Sequence, residues 1–192
     1  MAHISVEGMD GVGKTTVCRM LSEKLGYKFV EKPLHYLFDD SAEEIREYVR
    51  IRDEVNKSDD RLFTSWFYAL GSIYLYSLFK DKNIITDRHV LSNYAWSGTQ
   101  ENEDVFRLLL NKIGNPDLTV ILYAGRDVIE KRIKTRNEQD DNLAIVGCSQ
   151  RIYEKMIYFC NKYGIPFMVI NTENVTAEEV VDKILDRIYG RA

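Results

Sequence analysis

Residues 8–15 read Gly8-Met9-Asp10-Gly11-Val12-Gly13-Lys14-Thr15, a G-x-x-x-x-G-K-[ST] pattern, and no other stretch limits the fold so tightly. The pattern works only where a strand hands over to a helix. Ile4 and Val6 alternate with polar residues before it, as in a short strand, and Thr16-Val17-Cys18-Arg19-Met20-Leu21 begins a helical pattern after it. Gly8, Gly11 and Gly13 let the backbone curl so that successive N–H groups, those of Val12 and Thr16 included, converge on one phosphate. The helix N-terminus adds partial positive charge. Lys14 is placed to bridge the terminal phosphates, and the Thr15 hydroxyl to ligate magnesium. The stretch predicts binding of a nucleoside triphosphate.

Composition narrows the partners. The 192 residues suffice for one domain with a sound core. Net charge is -4, with acids and bases mixed along the chain, which argues against a nucleic-acid surface, because that needs clustered cations. A nucleotide substrate needs only a few. The three cysteines, Cys18, Cys148 and Cys160, share no metal-ligand spacing and are expected to be reduced thiols. No signal core or uninterrupted apolar run of membrane-spanning length is evident, so a cytoplasmic protein without membrane contact is expected.

Strands are predicted at residues 3–6, 27–30, 83–86, 118–123 and 166–170, alternating with helices at 15–25, 61–79, 104–113, 127–136, 150–163 and 176–189. A capping box, Ser41-Ala42-Glu43-Glu44, opens a further helix to about residue 55. This alternation predicts a three-layer α/β fold with a five-stranded parallel sheet flanked by helices. The helix at 61–79 is aromatic on most sides, so it is buried or lines something; Phe63 and Trp66 are candidates to stack on a base. Residues 137–147 carry Asp140, Asp141 and Asn142 and little to pack, which suits a mobile lid.

In such a sheet ligands bind at the carboxyl ends of the strands. Glu7 with the phosphate loop, Glu31, Asp87-Arg88 and Asn171-Thr172 fall there, while the strands themselves are apolar. Asp87 suits either holding magnesium through water or accepting a proton, and Arg88 a bidentate clamp on an acceptor phosphate. Arg132 and Arg136 share a helix face leading into the lid, where closure would bring cations to a migrating phosphoryl group.

These motifs resemble the thymidylate kinase family of P-loop kinases. Its phosphate loop carries an acid where Asp10 stands, and its second motif, an Asp-Arg-aromatic triplet followed by a Ser, resembles Asp87-Arg88-His89-Val90-Leu91-Ser92-Asn93-Tyr94-Ala95-Trp96. The resemblance implies ATP as donor and Mg2+ as cofactor, with phosphoryl transfer to a deoxynucleoside monophosphate, dTMP to dTDP. It implies that Asp10 touches the sugar 3′-hydroxyl, Arg88 the acceptor phosphate and Asn93 the base. Trp96 would lie under the sugar, Asp87 near magnesium, and Arg132 and Arg136 would supply charge from the lid. It also implies a homodimer formed through helices like that at 61–79.

The chain departs from the pattern where further cations would grip a monophosphate. Trp66, or near it Phe67 or Gly71, stands in place of a helix arginine; Glu31-Lys32-Pro33-Leu34 replaces an Arg-Glu-Pro-Gly turn; Asp141 or Asn142 replaces a lid arginine. Deoxynucleoside kinases, similar in fold, place a general base where Glu31 stands, so a nucleoside acceptor is the alternative. A nucleotide-binding regulator without turnover is a third possibility, disfavoured by Arg88, Asn93 and Trp96.

Overall fold

Parallel strands cannot be joined by hairpins, so each pairing needs a crossover, and here helices supply them. The computed structural model describes residues 1–31, 33–37, 42–137 and 140–190. Strands β1 (His3–Glu7), β2 (Lys28–Glu31), β3 (Ile84–Asp87), β4 (Leu118–Tyr123) and β5 (Phe167–Asn171) form one parallel sheet in the order β2-β3-β1-β4-β5. Every residue of β1 is buried, as are Ile84, Ile85 and Thr86 of β3 and the first five residues of β4, which requires cover on both faces. The helices are α1 (Lys14–Leu25), α2 (Ala42–Lys57), α3 (Arg61–Phe79), α4 (Val90–Ser97), α5 (Glu103–Ile113), α6 (Arg126–Arg136), α7 (Ser149–Tyr163) and α8 (Ala177–Ile188). Short 3-10 helices run over Pro33–Leu37 and Asp141–Cys148. Helix α1 packs on α8, and α4 packs between α3 and α7.

Three elements differ from the sequence expectation. Helix α4 was not foreseen, because Val90 to Ala95 are all buried and such a helix shows no amphipathic period. The lid segment has more to pack than expected: Val146 is buried, and Leu143 and Ile145 lie against the core. Its residues 138 and 139 fall outside the described residues, as do the predicted cap Ser41 and the Lys32 turn position.

Helix α3 is the third. By length and mean hydropathy, 1.2, it is comparable to a membrane span, which corrects the expectation that no segment would be. Yet its buried side is built of small residues, Thr64, Ser65, Ala69, Gly71 and Ser72, followed by Leu75 and Phe79. Leu62, Phe63, Trp66, Leu70 and Ile73 lie exposed instead. A Cβ added at Gly71 would sit 3.2 Å from Leu34 Cγ, so the helix lies close on the turn after β2. Of the thiols, Cys18 and Cys160 are buried and Cys148 is exposed, all free.

A polar cluster ties α3 to the sheet. The His3 ring lies between the Tyr76 hydroxyl, 2.7 Å from Nδ1, and the Thr86 hydroxyl, 2.9 Å from Nε2. His89 stands edge-on to it, with ring centroids 4.7 Å apart. Burial lowers the pKa of His3 to about 3, and burial with the His3 charge pushes His89 well below the usual histidine value. Between about 3 and 6.5 the unfolded chain therefore binds more protons than the folded one at His3. Stability contributed by His3 is present above pH 6.5 and lost as pH falls through that window. His3 alone is expected to cost about 2 kcal/mol between pH 7 and pH 5. Urea denaturation at the two pH values measures the loss, which should shrink in His3→Gln.

Candidate active site

Strand β1 pairs with β3 on one side and β4 on the other, so the order of the sheet reverses at β1. The crevice at its carboxyl end is where open α/β sheets take ligands. The chain leaves it at Gly8, whose φ of +137° and closeness to β4 admit no side chain: a Cβ there would meet the Leu122 carbonyl oxygen at 2.2 Å. Gly11, also at positive φ, lies under α6, where a Cβ would come within 3.1 Å of the Ile133 side chain. Val12 is buried, and α1 begins at Lys14 with Thr15 and Thr16 in its first turn. The result is a loop of backbone amides held between α1 and α6, positioned by glycines at both ends.

Lys14 is buried; its Nζ donates to the Met9 carbonyl at 2.8 Å and stands 3.5 Å from Asp10 Oδ1. Burial, with the Arg88 charge, pulls its pKa down, while Asp10 opposes the shift. Burial alone would push the Asp10 carboxyl up, but the Arg88 and Lys14 charges hold it far below the usual range. Arg88 Nη2 donates to Asp10 Oδ1 at 2.9 Å, and Nη1 donates to the Gly8 carbonyl at 3.0 Å and to Ser92 Oγ at 3.3 Å. The two cations and one carboxylate thus share one corner, a stack of charge matched to an anionic ligand.

The Thr15 hydroxyl donates to Asp87 Oδ2 at 2.6 Å, joining the two residues singled out for magnesium. A hydroxyl and a carboxylate oxygen beside a phosphate cradle suit a hard cation that keeps most of its own waters. Among the described residues no cluster of three or more metal-ligating side chains exists, and magnesium on a nucleotide requires none. Glu31 is in register with Asp87, which sets the two acids at adjacent strand ends.

The remaining candidates scatter more widely. Asn93 is buried on α4, and its Nδ2 donates to the Ser65 carbonyl at 2.9 Å. A carbonyl only accepts, so the amide orientation follows, and Oδ1 is left buried with no partner among the described residues. Trp96 is partly buried against the core. Phe63 and Trp66, expected at the acceptor base, lie instead on the exposed face of α3, because small residues occupy its inner face. Tyr68 of α3 is partly buried instead, and its hydroxyl donates to Asn56 Oδ1 at 2.6 Å. Arg132 and Arg136 part company. Arg132 donates to the Thr172 hydroxyl at 3.0 Å and the Thr172 carbonyl at 2.6 Å, linking α6 to the end of β5, whereas Arg136 pairs with Asp140.

Sequence reasoning passed over Ser5 and Ser92, whose hydroxyls both donate to the buried carboxylate of Glu7. An acid at the buried end of β1 was the available signal.

A phosphate cradle at the reversal of a parallel sheet, with a cation beside it at the next strand end, defines a P-loop nucleotide-binding phosphotransferase. The family model described as thymidylate kinase matches residues 6–184, and the chain belongs to that family. It is accordingly a nucleotide kinase. A thymidylate kinase of Nautilia profundicola is 27% identical over 96% of this chain and 98% of its own. Two solved structures share the fold. A thymidylate kinase from Candida albicans gives a TM-score of 0.70 at 17% identity, covering 99% of this chain and 92% of that one. A deoxyadenosine kinase from M. mycoides gives 0.66 at 20%, covering 98% and 99%.

The contrast between two loop glycines is testable. Gly13 is also at positive φ, but a Cβ there would meet nothing within 4 Å. Gly13→Ala is expected to cost about 1 kcal/mol of backbone strain, and Gly8→Ala at least about 3 kcal/mol, since the Leu122 clash adds to the strain. Chemical denaturation of the two variants measures the difference.

Proposed function

We propose that this kinase transfers the γ-phosphoryl group of ATP to a deoxynucleoside monophosphate, dTMP giving dTDP, with magnesium as cofactor. The observation that carries the reading is Arg88, held between the Gly8 carbonyl and Asp10 within the same corner as Lys14. A monophosphate is already anionic and needs a fixed cation more than it needs a base. The thymidylate kinase named for Nautilia profundicola supports the choice of dTMP.

In this reading the loop amides and Lys14 hold the ATP phosphates. Thr15 and Asp87 would hold magnesium, which would supply positive charge beside the phosphates. Asp10 meets the sugar 3′-hydroxyl while keeping Arg88 aimed. Asn93 offers its carbonyl oxygen to the base, and Trp96 flanks the sugar. Arg132 and Arg136 exchange Thr172 and Asp140 for the migrating phosphoryl group as the segment around residues 137–147 closes as a lid. Catalysis is then positioning and electrostatic stabilisation. The protein acts in the cytoplasm.

One observation favours a second reading. Glu31 sits beside Asp87 at the strand ends, where a general base for a nucleoside 5′-hydroxyl would stand, and the fold is shared with a deoxyadenosine kinase. An assay of ADP release with ATP and magnesium across nucleosides and monophosphates separates the two. Turnover of dTMP is expected; turnover of nucleosides alone overturns the first reading, and no turnover with any acceptor points to a regulator. Lys14→Ala should lower turnover about a hundredfold or more while the melting temperature stays close to that of the parent.

The exposed stripe on α3, with Leu62, Phe63, Trp66, Leu70 and Ile73 each 39–52% exposed, supports a homodimer with α3 at its interface. Light scattering should give twice the chain mass, and Leu70→Glu should convert it to monomer. A monomeric parent protein sinks the dimer.

A further inference from the structure

Among the described residues, Arg88 is the one non-glycine with a left-handed backbone, at φ +75°. Such a conformation persists where surroundings over-determine it. Its backbone N–H donates to the Val6 carbonyl at 3.0 Å, and its side chain turns back to the end of β1. A guanidinium carries five N–H donors. Gly8, Ser92 and Asp10 engage three of them, leaving Nε–H and one Nη2 hydrogen without a partner among the described residues. One part of the group is thus anchored to protein and another is available for bidentate contact with an anion.

The Ser92 anchor depends on a residue that Arg88 does not touch. A serine hydroxyl has one hydrogen, and that of Ser92 goes to Glu7 Oε2. The oxygen lone pairs of Ser92 are thereby turned to Arg88 Nη1. The second Glu7 oxygen is fixed by Ser5 Oγ at 2.6 Å, and Glu7 is 1% exposed, so water does not substitute for either hydroxyl. Burying a carboxylate in β1, between the core residues Val6 and Met9, is costly, and an apolar residue would serve packing better. We infer that Glu7 is a positioning residue for the acceptor site, acting through Ser92 to aim the Arg88 guanidinium. This inference rests on the assignment of Arg88 to the acceptor phosphate.

The test uses the whole protein as Ser92→Ala, Ser92→Thr, Glu7→Gln and the Glu7→Gln/Ser92→Ala double variant. KM is measured for dTMP and for ATP, and the Arg88 side-chain Nε–H is followed by 15N NMR, assigned with Arg88→Lys. Ser92→Ala and Glu7→Gln should each raise the dTMP KM about tenfold, with the ATP KM within about twofold. The double variant should be no worse than the singles, since one relay is broken in each case. Ser92→Thr, which keeps the hydroxyl, should stay near the parent. Rotation of the Arg88 guanidinium, hindered in the parent, should become free in both single variants. Additive losses, equal changes in both KM values, or an unaltered Arg88 signal overturn the relay. So does unfolding of both single variants, which would make the cluster a packing device. The two claims fail separately. If Arg88 loosens as expected but no monophosphate is turned over, the relay stands and the acceptor assignment falls. If Arg88→Lys raises the dTMP KM while Glu7 and Ser92 leave the KM and the signal unchanged, the assignment stands and the relay falls.

Discussion

Everything at the site depends on the crowding at the end of β1. That strand is hydrogen-bonded on both sides and buried at every residue, so the chain has one way out, past the Leu122 carbonyl of β4. Only glycine passes there without collision. Once Gly8 has turned, the loop lies against α6 and delivers the chain into α1, whose first residue is Lys14. The phosphate cradle is thus an outcome of sheet topology. The reversal of strand order opens the crevice, and the glycines let backbone rather than side chain fill it.

The same crowding explains the charge arrangement. Lys14 and Arg88 are brought together in a partly buried corner, where two like charges are unfavourable without an intervening acid. Asp10 supplies it, contacting both. Its carboxylate stays ionised far below the ordinary range because two cations face it, while burial alone would act in the opposite direction. The loop acid is therefore an electrostatic necessity of this corner, whatever it also does in the proposed contact with a sugar. That balance explains why an acid stands inside a loop otherwise made of glycines and apolar residues.

Strands, helices and the phosphate loop were legible in the sequence because they rest on local signals: alternation, caps, and a motif with fixed spacing. The place of Asp87 and Arg88 at the end of β3 was legible too, since strand ends are predictable once strands are placed. What the sequence did not reveal was orientation around a helix. The aromatic pattern of α3 suggested that Phe63 and Trp66 face a ligand, but the residues facing inward are Thr64, Ser65, Ala69, Gly71 and Ser72. A helix that must approach a neighbour closely buries small residues and displays large ones, reversing the usual inference from hydrophobicity. Helix α4 escaped for the complementary reason: buried nearly throughout, it has no polar face to mark a period. Ser92 and Glu7 were invisible as a pair because their contact joins positions 85 residues apart.

The missing acceptor-site cations gain a physical context from α3. Gly71, one of the positions set against the helix arginine, lies so near Leu34 that even a Cβ would press on it, and Trp66 points outward. A long cation on the inner face of this helix would have to displace the turn after β2. The close packing of Gly71 on Leu34 thus works against an arginine at that position of α3. In the proposed reading, Arg88 is left with a larger share of the acceptor charge than it would have with a helix arginine beside it. With no arginine from α3 to compensate for a rotated guanidinium, Arg88 must be aimed more strictly. Its left-handed backbone, its three protein contacts and the buried acid behind Ser92 are what such strictness requires.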